Sequence, residues 1–202
     1  MNVILDKVSC TRLPRKPMSS GDWTKILARK LPLILSWIDA TVAEHHSLAT
    51  PVADLDLPHL SRYFPSKLLR QTTAVHLTEQ PPLPPLNEIG LDEFSPSKEQ
   101  HTYEATTYGE TIFLQEGHVS EVLYFHELVH VIQWKRLGKE PFLVTYIAGL
   151  LEHGYEDNPL EEIAFSLQEK FRQGDLPGDL TEIIHKHTDS IWQNTAQSYH
   201  LV

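Results

Sequence analysis

Residues 120–138 read SEVLYFHELVHVIQWKRLG, and the reading of this stretch decides the fold. Ser120 is a helix-capping residue type, Gly138 is a helix-ending one, and Lys135 and Arg136 stand where cations meet the negative end of a helix dipole. Val122, Leu123, Phe125, Leu128, Val129, Ile132 and Trp134 surround such a helix instead of forming one stripe, which predicts burial on most sides. His126, Glu127 and His130 are carried inward with them. Burying two imidazoles and a carboxylate costs several kcal/mol unless they find partners, and a metal ion is one such partner.

Residues four apart on a helix share a face, about 6 Å apart along the axis, so His126 and His130 can aim ring nitrogens at one ion. Glu127 lies about 100° further round and cannot easily join the same ligand set. It can reach a water on the ion, which is the position of a general base. Zinc suits the two histidines; it lowers the pKa of bound water toward about 7 and polarises a carbonyl. With 12 histidines and 17 glutamates in 202 residues, HExxH arises by chance in roughly one such sequence in seventeen. The apolar surroundings, more than the five letters, therefore carry the reading.

A catalytic zinc site needs a third protein ligand and an open position. Residues 158–165, NPLEEIAF, offer one, because asparagine caps and proline suits the first helical position. With Leu160 at 0° on a helical wheel, Ile163, Ala164, Leu167 and Phe171 fall at about 300°, 40°, 340° and 20°. Glu161 then lies at about 100°, on the edge of the apolar face, and Glu162 at about 200°, pointing away. A capping box explains a glutamate three residues after Asn158 equally well, so helix geometry leaves Glu161 as ligand or as cap.

HELVHVIQW followed by YEDNPLEEIA resembles the gluzincin branch of zinc metallopeptidases, particularly compact bacterial gluzincin-like domains, over residues 102–172. The resemblance implies a zincin-like fold and a ligand set of His126, His130 and Glu161, with Glu127 as general base. It also implies an oxyanion-stabilising histidine or tyrosine, for which His153 and Tyr155 are the candidates, and a strand before the metal helix, TIFLQ, that pairs with extended substrate. Many gluzincins read ExxA followed by aspartate, and that aspartate supports a ligand histidine. Here Phe165 follows Ala164, so the support must come from elsewhere or be missing.

Working outward, residues 22–30 and 32–46 read as two core-packing helices, capped by Asp22 and opened by Pro32. TTAVHL at 72–77 reads as a strand, and residues 80–97, QPPLPPLNEIGLDEFSPS, as a loop. HTYEATTY and ETIFLQ flank Gly109 as a hairpin. Helices follow at 120–138, 158–172 and 179–196, the last carrying Leu180, Ile183, Ile184 and Ile191 on one side. The expected fold class is α+β: a small antiparallel sheet, an HExxH helix and flanking helices, within one compact domain. Residues 1–100 form an N-terminal helical and proline-rich part of unassigned role, and residues 101–202 the metal-binding region.

The formal net charge of −10 and the lack of a basic stripe argue against nucleic acid as a partner. Cys10 is the only cysteine, which excludes an intramolecular disulfide and a multi-thiolate zinc site. MNVILDKVSC lacks a secretory pattern, and LPLILSWI is far shorter than the roughly 20 residues of a membrane span. A cytoplasmic protein without a membrane span is expected. His45, His46, His185, His187, Asp54 and Asp56 read as solvated. Three functions compete: a zinc peptidase acting on a peptide or protein, a zinc-stabilised interaction module that keeps HELVH without turnover, and a hydrolase of another amide.

Overall fold

The computed structural model describes residues 20–85 and 103–201, with side chains from residue 29 onward. Cys10, the N-terminal start and the 86–97 part of the proline-rich loop lie outside them. The described residues form six helices and one four-stranded sheet, an α+β arrangement. In chain order these are α1 (Ser20–Glu44), β1 (Thr50–Pro51), α2 (Ser66–Gln71), β2 (Thr73–Leu77), β3 (Ala105–Tyr108) and β4 (Thr111–Gln115). Then come α3 (Glu121–Leu137), α4 (Lys139–Glu152), α5 (Pro159–Gln173) and α6 (Thr181–Ser198).

The sheet is mixed, not antiparallel as expected. Its order is β1-β2-β4-β3; β2 runs parallel to β4 with Thr73 opposite Thr111, while β1–β2 and β3–β4 are antiparallel. Parallel partners need a long connection, and residues 78–110 lie between the two strands along the chain. Burial on both faces explains why TIFLQ does not alternate: Thr111, Ile112, Phe113 and Leu114 are all buried. TIFLQ, the strand expected to pair with extended substrate, is paired on both edges, and β3 is a terminal strand of the sheet among the described residues. Gly109, at φ +65°, opens the two-residue β3–β4 turn, where a positive φ favours glycine.

One face of the sheet, with Ala74, Ile112 and Leu114, packs into a cluster with Phe125, Leu128 and Ile132 of α3. The other, with Val75 and Phe113, joins Leu31, Ile34 and Ile38 of α1 and Phe142 and Leu143 of α4. The expected break before Pro32 is absent, and α1 is one helix with Pro32 inside it. An interior proline costs about 3 kcal/mol. Burying Leu31, Ile34 and Ile38 at about 1.5–3 kcal/mol each outweighs that cost. Two smaller differences stand out. α4 was not anticipated, and Ile183 of α6 is exposed beside the buried Leu180 and Ile184. No helix among the described residues is long and apolar enough to cross a membrane.

Candidate metal centre

Ser120 caps α3 by accepting from the Leu123 N–H, and every residue from Tyr124 to Trp134 is buried. Arg136 holds the far end of this helix to α6 through two hydrogen bonds to Asp189, at 2.7 and 2.6 Å. His126 and His130 thus project from the buried middle of the helix, with their Nε2 atoms 3.0 Å apart.

Glu161 comes from α5. Asn158 caps that helix by accepting from Leu160 N–H, while its own N–H donates to the Tyr155 carbonyl. The reciprocal bond of a capping box is therefore not made. Glu161 turns instead to the histidines, its Oε2 lying 3.2 Å from each Nε2, and its Oε1 accepts from the Tyr146 hydroxyl at 2.7 Å. Glu162 is exposed. The ligand-or-cap ambiguity of Glu161 is resolved against the cap.

Three donor atoms converge here: His126 Nε2, His130 Nε2 and Glu161 Oε2, all on buried residues. A tetrahedral zinc with bonds of about 2.0–2.1 Å keeps its ligand atoms roughly 3.3 Å apart, close to the 3.0–3.2 Å seen here. The hydrogen-bond pattern also calls for a cation. His130 Nδ1–H donates to Gln133 Oε1 at 2.8 Å, and the Gln133 amide is oriented by donating to the Leu160 carbonyl at 3.0 Å. The neutral ring then presents a bare lone pair at Nε2, facing another imidazole and a carboxylate. Burial alone would depress the His130 pKa. The Glu161 carboxylate, then Glu127 and Gln133, outweigh burial and push it up to about 9. Glu161 is likewise raised by burial but more strongly lowered by His130 and His126, and is held well below the usual carboxylate range. The group thus attracts positive charge, and its donor set fits a metal ion.

Glu127 is buried and stands apart from this triangle. Its Oε2 accepts from the Thr107 hydroxyl of β3 at 2.6 Å. Glu127, Tyr155 and the three converging residues line one cavity. Tyr155 sits in the turn between α4 and α5, where burial, then the Glu161 carboxylate, raise its pKa well above 10 and keep it a hydroxyl donor. His153 does not reach the site: it is exposed and pairs with Glu152 at 3.5 Å. Phe165 packs its ring 4.7 Å from that of His126, and the buried His126 Nδ1 has no partner among the described residues. His45 donates to or accepts from nothing in this group; it lies edge-on to Phe113, 5.3 Å away.

Three residues escaped the sequence reading. Gln133 was findable, three positions after His130 and hence on the same helix face. Tyr146 lies in α4, whose apolar residues form no stripe, and Thr107 meets Glu127 only because β3 packs against α3, which no local pattern reveals. No family model, curated protein or solved structure matches the chain.

Proposed function

We propose that this chain is a zinc-dependent peptidase of zincin-like architecture. One observation carries the reading: three metal-type donors converge within 3.2 Å beside a buried carboxylate, Glu127, that is not one of them. A purely structural ion has no use for that fourth residue. When bound, zinc supplies Lewis acidity, polarising a carbonyl and acidifying water. The side chains do the rest. Thr107 holds one oxygen of Glu127, which orients the carboxylate to accept the proton of the attacking water and pass it to the leaving amine. Tyr155 stays protonated and donates to the developing oxyanion. β3, a terminal strand lining the cavity, offers its edge to an extended peptide, the role first assigned to TIFLQ.

The test is a set of variants measured for both zinc and turnover. Glu127→Gln keeps the metal and the fold and lowers cleavage about 10²- to 10⁴-fold. His126→Ala, His130→Ala and Glu161→Ala each lose zinc by elemental analysis, whereas Glu162→Ala retains it. Undiminished cleavage by zinc-loaded Glu127→Gln would rule out this mechanism.

The unpartnered His126 Nδ1 favours a second reading, a zinc-stabilised interaction module, because a ligand without outer support is less basic and less well oriented. Wild-type protein holding zinc yet cleaving nothing in a broad peptide library selects that reading.

A further inference from the structure

The cavity that holds the His-His-Glu group at one end has a volume of about 170 Å³. Its other walls come from distant parts of the chain: Ile34 and Ile38 of α1, Leu83 of the proline segment, and Leu143 and Ile147 of α4. The Tyr108 hydroxyl donates to the Pro82 carbonyl at 2.7 Å and so pins the Leu83 wall to β3. An apolar cavity of about 150 Å³ accepts a benzene ring, so this one has room for a single large side chain.

Charge narrows the occupant further. Among the described residues no lysine or arginine lines the chamber, and the only carboxylates are those of Glu127 and Glu161, which belong to the candidate metal centre. A charged side chain placed among Ile34, Ile38 and Ile147 would lose its water and gain no counter-charge, a loss of several kcal/mol. Ala105, Thr106 and Thr107 of β3 line the same space. A peptide added to the β3 edge would send alternate side chains toward and away from it.

We infer that this chamber selects substrates with an uncharged side chain of leucine or phenylalanine size next to the bond cut, with Ile38 and Ile147 as specificity-determining residues. The inference rests on the peptidase reading above.

The test uses full-length, zinc-loaded Glu127→Gln and calorimetric binding of alanine-based hexapeptide amides. One Leu, Phe, Asp or Lys is walked through the central positions. At one position Leu or Phe binds about 10- to 100-fold tighter than Ala, while Asp and Lys gain nothing. Ile147 is only partly buried, so Ile147→Trp, which fills the chamber, reduces the Leu-over-Ala ratio to below about threefold. Ile147→Ala, which enlarges it, shifts the preference toward Phe. Absence of binding, a lack of preference at every position, tightest binding of Asp or Lys, or a ratio unmoved in both Ile147 variants overturns the inference. Cleavage by wild type separates the two claims. Apolar preference without cleavage keeps the chamber and removes the peptidase reading; cleavage without preference removes the chamber alone.

Discussion

Gln133 stands one helical turn from His130 and decides which ring nitrogen of that histidine faces the site. Among the described residues the other histidine has no such partner; Phe165 packs against its ring, and Nδ1 is left unbonded. Glu161, Glu127, His126 and Gln133 are the polar groups that act on His130, and Tyr146 acts on it only through Glu161. In the metal-free protein its pKa of about 9 stands above its ordinary 6.5. The protonated form therefore stabilises the fold fully below pH 6.5, and that contribution is lost as pH rises through 9. A metal must displace the same proton. Zinc affinity should accordingly rise about tenfold per pH unit from 7 to 9 and level off above, as competition with a chelator would measure. A flat profile across that window would mean that His130 is already neutral in the metal-free chain.

At the scale of elements, α4 sets Tyr146 and α5 sets Glu161, and the two helices meet where Gly149 faces Asn158. A Cβ on Gly149 would lie 2.4 Å from Asn158 Oδ1 and 2.7 Å from Cγ. Asn158 is fully buried, capping α5 and donating to the Tyr146 carbonyl at 3.0 Å, so it has nowhere to turn. Gly149→Ala should therefore displace the cap, lowering stability by about 0.5–2 kcal/mol through the lost cap alone. It should also weaken metal binding about 10- to 100-fold by shifting the Tyr146 support of Glu161. Thermal melting and metal titration read the two effects separately. The helix was missed because Phe142, Leu143, Val144, Ile147 and Leu150 surround it, so its apolar residues form no stripe.

Across the whole molecule the sheet is the middle layer, with α1 on one face and α3 on the other. The N-terminal part is thus a wall of the core and of the cavity, since Leu31 packs near Phe113 in one cluster and Ile34 and Ile38 line the chamber. Leu31 is 8% exposed and lies outside the cavity lining, which makes it a clean probe of that layer. Leu31→Ala should cost about 2–5 kcal/mol, lowering Tm by roughly 4–20 °C for a chain of this size. Zinc content should stay unchanged. An unaltered Tm would identify α1 as a detachable lid.

The sequence by itself determined what depends on neighbours along the chain. The cap at Ser120, the stop at Gly138, the shared face of His126 and His130 and the Asn158–Pro159 start all follow from helix periodicity and end chemistry. Tertiary structure decided what depends on distant partners. The parallel pairing of β2 with β4, the survival of α1 through Pro32 and the turn of the Glu161 carboxylate to His126 and His130 instead of to the helix start are all of this kind. In each case local geometry left two outcomes close in energy. Burial against a surface contributed by another part of the chain, worth several kcal/mol, separated them.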